Sequence, residues 1–167
     1  AQMPQILRGF GIESAFLARG VAPSKTEFWW EAPDGSRVLT HWFAASYCNA
    51  RNLPPSPEDF EFGPFQGLDS LLEFLAGLST SDAILLMAGC DHMAPQEDLP
   101  SVLETLSEKL GHTFTLGSLE DYLRLLDSSQ DLEVIKGELR TPFFAPLLPG
   151  VLSTRIYLKQ MNYWALT

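Results

Sequence analysis

The chemistry of this chain is concentrated in one segment, Ile84-Leu85-Leu86-Met87-Ala88-Gly89-Cys90-Asp91-His92. Four large apolar residues predict a strand covered on both faces, and the glycine then delivers an acid and an imidazole side by side at its C-terminal mouth. In parallel barrels and open α/β sheets that edge carries the reactive groups, because loops there hold polar side chains against a rigid strand. Asp91 reads as an acid placed for chemistry at that mouth or as the cap of the next turn. Arg19, just before Gly20, either solvates a strand end or clamps an anion or sugar hydroxyl with its rigid fork of donors. His41 reads equally as a hydrogen-bonded core histidine or a site residue. The cluster Tyr47-Cys48-Asn49-Ala50-Arg51-Asn52 adds further polar groups. Trp29, Trp30, Trp42, Phe43 and Tyr47 are dense enough to floor a sugar site, and suit a core as well.

Local spacing assembles no metal centre. His92 and His112 are separated by a predicted helix, and there is neither His-x-x-x-His nor Cys-x-x-Cys. His112 follows Gly111 and reads as the neighbour of a helix C-cap. No phosphate-binding loop and no Gly-x-Ser-x-Gly segment redirects the chemistry.

The elements that must position these groups alternate in type. A short helix through Phe10 precedes a strand over 12–18; strands over 27–31 and 38–43 flank Asp34-Gly35, a strong hairpin signal. Residues 46–64 read as a loop, since Pro54, Pro55, Pro57 and Pro64 forbid a continuous helix or a central strand. A helix over 68–78, a strand over 83–88, a helix from Asp98 with Val102, Leu103, Leu106 and Leu110 on one face, and a short strand over 113–116 follow. Ser118 with Asp121 forms a capping-box pattern and predicts a helix over 119–126. A strand over 132–135 follows, and after Ser153 a helix carries Tyr157, Met161 and Trp164 along one face. The order implies a parallel sheet flanked by helices, either barrel or open.

Composition places the chain among soluble globular proteins: 167 residues, 46% apolar, 19% charged, enough for one sizeable core. Eleven basic against 21 acidic residues give a net charge of −10, which argues against a nucleic-acid partner. No apolar run of about 20 residues is present to span a bilayer, and no signal-peptide order opens the chain. The two cysteines, Cys48 and Cys90, are expected to form no disulfide framework, which suggests a reducing cytoplasm. The abrupt ends suggest a piece of a longer polypeptide.

Several segments taken in order resemble glycoside hydrolase family 38 α-mannosidases of bacterial type. They are Met3-Pro4-Gln5-Ile6-Leu7-Arg8-Gly9-Phe10-Gly11-Ile12, Glu27-Phe28-Trp29-Trp30-Glu31-Ala32-Pro33-Asp34-Gly35-Ser36, Leu86-Met87-Ala88-Gly89-Cys90-Asp91-His92, and Gly137-Glu138-Leu139-Arg140 through Leu158-Lys159-Gln160. The resemblance implies part of a seven-stranded β/α barrel, within residues 1–167 of an N-terminal catalytic domain that runs at its end towards a helical region. It implies a retaining exo-α-mannosidase that removes terminal α-linked mannose from oligosaccharides or glycans and binds one zinc ion. It puts the nucleophilic aspartate in an Asp-x-Phe-Gly-His segment before Met3, two zinc ligands in a His-x-Asp motif further upstream, and the last ligand beyond Thr167. The chain alone is therefore expected to be inactive, with no metal ligand of its own. Asp91 takes the general acid/base position, with Cys90 replacing a first acid found in relatives. Arg19, Tyr47 and Asn49 take sugar-binding positions, and His92 orients the acid or touches substrate. Two other classes remain compatible with the residues alone, a sugar-binding or scaffold domain without catalysis and a polysaccharide-deacetylase-like metal hydrolase.

Overall fold

A computed structural model of the chain describes residues 2–126, 131–142, 147 and 154–166. Among these residues a four-stranded sheet has the order β1-β3-β2-β6, where β1 is Ser14–Leu17, β2 Glu27–Glu31, β3 Arg37–Trp42 and β6 Val134–Lys136. β1 runs parallel to β3 and β6 parallel to β2, while β2 and β3 form an antiparallel hairpin at the centre. The hairpin closes through Asp34, whose carboxylate accepts from the Ser36 amide at 3.0 Å and the Ser36 hydroxyl at 2.9 Å. Gly35 supplies the positive φ of +85° that the turn requires.

Alternation along the hairpin separates two faces. Trp30 lies opposite Val38, and Phe28 opposite the buried Thr40; Phe28, Trp30, Val38, Trp42 and Val21 form one buried cluster against which Leu7 of α1 (Met3–Gly9) packs. On the other face Glu27 lies opposite His41 and Glu31 opposite Arg37. Lys136 of β6 also pairs with Glu31. A second cluster is helical. In α2 (Leu68–Leu78), Leu68, Leu71, Leu72 and Leu75 repeat at i, i+3, i+4, i+7 and bury against Val102 and Leu106 of α3 (Leu99–Leu110). Between Trp42 and α2, residues 43–56 form successive turns, followed by the short 3₁₀ turn Pro57–Asp59 and the two-residue hairpin strands β4 (Glu61–Phe62) and β5 (Phe65–Gln66). α4 (Leu119–Leu125) starts at the expected capping box, in which Ser118 Oγ accepts from the Asp121 amide and the Asp121 side chain answers to the Ser118 amide. α5 (Ile156–Leu166) buries none of its residues.

The structure corrects the expected architecture in three places. The sheet formed by the described residues is mixed rather than wholly parallel, because the tight Asp34-Gly35 turn reverses the chain between neighbouring strands. Residues 83–88 are not a strand; 83–87 are only half-buried and Ala88 is exposed. Their hydrogen bonds go to the loop after β3 instead: the Met87 amide donates to Asn49 Oδ1 at 2.7 Å and the Ala50 amide to Met87 O at 3.1 Å. Residues 113–116 also lack strand pairing, although the Phe114 amide finds Ser107 Oγ at 3.2 Å.

Gly20, which follows β1, has φ +89°, and a methyl added there would meet Leu139 O at 2.3 Å. The contact is fixed by the Thr141 amide donating to Gly20 O at 3.0 Å. Gly35 has a similar φ but open space around it. Gly35→Ala should therefore cost only the left-handed backbone penalty of about 1–2 kcal/mol. Gly20→Ala adds a backbone collision and should cost clearly more in urea unfolding; equal losses for the two variants would show that the approach to Leu139 is not close.

Candidate active site

Tyr47 and Asp91, 44 residues apart in sequence, meet directly: the Tyr47 hydroxyl donates to Asp91 Oδ2 at 3.0 Å. Tyr47 follows β3 in the turns at its C-terminal end and is half-buried, whereas Asp91 is exposed. Immediately beside each stands a cysteine, and Cys48 and Cys90 are disulfide-bonded with Cα atoms 4.9 Å apart. The expectation of separate reduced thiols is thus corrected, and the step from them to a reducing cytoplasm loses its premise. By loop-closure entropy a cross-link over a separation of 42 residues stabilises the fold by on the order of 4 kcal/mol. The same two loops are joined by the Asn49–Met87 and Ala50–Met87 hydrogen bonds, and the Gln96 side-chain amide donates to Leu53 O at 2.9 Å.

The remaining site candidates take different places. Asn49 is 1% exposed, and its amide oxygen is occupied by the Met87 amide, so it lies under the surface and holds the segment that carries Asp91. Arg19 is exposed two residues beyond β1. Since β1 and β3 are parallel and their last residues Leu17 and Trp42 are paired, Arg19 and Tyr47 leave the same edge of the sheet. His92 is exposed and has φ +60°. Ser46, before Tyr47, has φ +84°. Two non-glycine residues in the left-handed region therefore flank the Tyr47–Asp91 pair, a local strain that surrounding contacts must sustain. Among the described residues no group of three His, Cys, Asp or Glu could hold a metal ion.

His41 resolves to the core reading. Its ring is buried and its Nδ1 lies 2.9 Å from Glu27 Oε1 across the hairpin. The Tyr122 hydroxyl donates to the same oxygen at 2.6 Å, and Thr80 gives Oε2 both its amide, at 2.8 Å, and its hydroxyl, at 2.7 Å. The neighbouring cavity, lined by His41, Tyr122, Asn49 and Leu85 among others, measures only 10 Å³, space for about one water and none for a sugar. Burial alone would raise the Glu27 pKa, but hydrogen bonds from His41, Tyr122 and Thr80 outweigh it and lower it to about 2. Burial, reinforced by the Glu27 charge, pushes the Tyr122 phenol above its ordinary range. The Nδ1–H tautomer of His41 is the one that serves an ionised Glu27. Sequence reading missed this network. Its signal was the register: with Glu31 opposite Arg37 across the Asp34-Gly35 turn, counting back four residues puts Glu27 against His41.

Comparison with known proteins gives these features a context. Residues 1–143 match the glycosyl hydrolases family 38 N-terminal domain. A putative mannosylglycerate hydrolase of Halalkalibacterium halodurans is 32% identical over an alignment covering 96% of this chain and 20% of that protein. The crystal structure of an alpha-mannosidase from Enterococcus faecalis V583 superposes with a TM-score of 0.71 at 25% identity, covering 84% of this chain and 16% of the other. The chain thus spans about a fifth or less of the length of these two relatives.

A carboxylate whose pKa falls on folding stabilises the protein fully above its unfolded value and loses that contribution as pH falls towards its folded value. For Glu27 the window runs from 4.5 down to about 2, and the contribution is on the order of 3 kcal/mol. Urea unfolding of the wild type at successive pH values should show this loss on acidification. Glu27→Gln should be less stable at pH 7 and should flatten the pH profile in that window; an unchanged profile would show that the carboxylate is not held ionised.

Proposed function

The chain belongs to family 38 of the glycosyl hydrolases, and from that membership we propose that it supplies the acid/base side of a retaining exo-α-mannosidase site. The observation that carries the reading is the Tyr47–Asp91 contact at 3.0 Å, which puts a solvent-accessible carboxylate in a fixed place at the end of the sheet where Arg19 also emerges. In a retaining glycosidase one carboxylate forms the glycosyl-enzyme; the other protonates the departing oxygen and then takes a proton from the incoming water. Asp91 takes the second role. Before cleavage it carries the proton on the oxygen that faces the glycosidic bond, while Tyr47 holds Oδ2. After transfer the carboxylate is free to act as base towards water. Arg19, Tyr47 and His92 face the sugar, and Asn49 supports the site from below through Met87.

A family 38 site is expected to include zinc, which would orient sugar hydroxyls. The donor groups described in this chain do not fit such an ion, since no three of them cluster, and no step here is assigned to it. Nucleophile and metal ligands belong, in this reading, to residues outside the chain. Terminal α-linked mannose on an oligosaccharide or glycan is the proposed substrate. The name of the Halalkalibacterium halodurans relative favours a second possibility, mannose linked to glycerate, in which the exposed Arg19 would meet the carboxylate of the aglycone.

In the full-length protein, Asp91→Asn should lower turnover of an alkyl or glycosyl α-mannoside by about 10²–10⁴-fold, the usual worth of a positioned general acid. A dinitrophenyl α-mannoside leaves without protonation and should keep a larger share of its glycosylation rate, read from the burst, while the steady state slows because deglycosylation needs the base. Equal slowing of the first step for every leaving group, with folding unchanged, would remove Asp91 from the acid role. Comparing mannosylglycerate with mannosyl oligosaccharides decides the aglycone.

A further inference from the structure

We propose that the Cys48–Cys90 disulfide is the brace that holds the Asp91 carboxylate on the Tyr47 hydroxyl, which makes the placement of the acid dependent on the oxidation state of that pair. Each half-cystine is the chain neighbour of one partner of the contact: Cys48 follows Tyr47 and Cys90 precedes Asp91. Neither loop has secondary structure to fix it. Tyr47 and Cys48 lie in turns, and residues 83–92 are in no helix or strand. Backbone strain at Ser46 and His92, φ +84° and +60°, opposes the arrangement from both sides. The non-covalent ties through Asn49, Ala50 and Met87 end three residues before Cys90, and the next one described, from the Gln96 side chain to Leu53 O, comes five residues after Asp91. From Ala88 to Asp91 the disulfide and the Tyr47 contact are the links that the structure describes between the two loops, and Gly89, at φ +135°, adds a backbone freedom of its own.

Cys48 is among the buried core residues, as are Ala50 and Leu53 of its loop, and reduction removes the brace without breaking any strand or helix pairing. A dithiol breaks the S–S bond, its own two thiols closing to a disulfide while Cys48 and Cys90 each take one electron and one proton. Cys48 is buried and Cys90 half-buried, so a small reductant reaches the pair from the Cys90 side. The core residues Phe28, Val38, Leu71 and Leu106 are not in either loop, and the strands keep their pairing. Asp91 then moves with a glycine-hinged loop, and the distance over which it must deliver a proton is no longer fixed.

The inference about catalysis rests on the function proposed above, so the test has two readouts. Thiol labelling of the native full-length protein under denaturing conditions should find Cys48 and Cys90 blocked before reduction and free after it; free thiols in the native protein would overturn the proposal. Hydrogen exchange, which needs no activity, should show amides of residues 88–92 exchanging about tenfold or more faster after reduction while amides of β2 and β3 are unchanged. Equal exchange in the two states, or faster exchange everywhere, would overturn the brace. For catalysis, reduction should lower kcat on an α-mannoside with a poor leaving group by up to about 10²-fold, with a smaller change in KM and in the dinitrophenyl burst, and reoxidation should restore it. A Cys48→Ser, Cys90→Ser double variant should match the reduced enzyme and ignore the reductant. Unchanged kcat, or equal losses on both substrates, would refute a role in placing the acid. An oxidised protein that hydrolyses no α-mannoside would refute the function instead, and the exchange experiment would still decide the brace.

Discussion

A buried carboxylate sets the terms for the rest of the fold. Glu27 is 1% exposed, and an ion removed from water to that extent is tolerated only when donors replace the solvent it has lost. Here the donors come from separate parts of the chain: His41 from the facing strand, Tyr122 from α4, and Thr80 from the turn after α2. Satisfying one acid therefore requires the hairpin in register, the helix docked and the segment leading to Asp91 anchored at its start. Such a network is cooperative, because a missing donor leaves a charge that the others cannot neutralise alone. His41 is the penultimate residue of β3, so the network also fixes the point from which the chain departs towards Tyr47.

The site is held in a second way, through loops rather than strands. The proposed acid needs its position set before substrate arrives, and polar groups on irregular backbone must obtain that rigidity from elsewhere. In this chain the segment before Asp91 obtains it from the loop after β3, whose Asn49 side chain stands in for a backbone carbonyl and accepts the Met87 amide. One edge of the expected strand is thus occupied by a loop, which is why the apolar run never joins the sheet. The half-burial of residues 83–87 follows: one side of the run packs on the helical cluster through Ile84 and Leu86.

Much of this was legible in the sequence, and the limits have physical causes. The hairpin, α2, α3 and α4 were readable because the signals are local: Asp34-Gly35, a leucine repeat at helical spacing, Ser118 with Asp121. The strand over 132–135 was approximately right, with β6 displaced to Val134–Lys136. Residues 83–88 were misread because a short apolar run has no periodicity to distinguish strand from covered loop, and the partner that claimed its hydrogen bonds lay almost forty residues away. Asp91 and Tyr47 were both singled out, and the family resemblance put them in one sugar site, but nothing in either segment specified that they touch. The cysteines were read as unpaired because two such residues make no disulfide framework; that each adjoins a proposed site residue was visible. Asn49 illustrates the opposite limit, since a polar residue in a polar cluster gives no sign of whether its amide faces solvent or a buried backbone.

The cap of α4 carries a consequence for how this sequence can change. Ser118 fixes where the helix begins, and Tyr122 lies one turn later, with its amide on Ser118 O at 3.2 Å. Each helical residue advances the side-chain direction by about 100°, so the phenol reaches Glu27 only if the count from the cap is kept. A residue inserted between 118 and 122 would leave helix propensity and composition nearly untouched, yet swing the hydroxyl a quarter-turn or more away from the acid. Substitutions on the outer face of α4 are free in a way that changes of length are not, so in evolution this stretch should drift in spelling while staying rigid in metre.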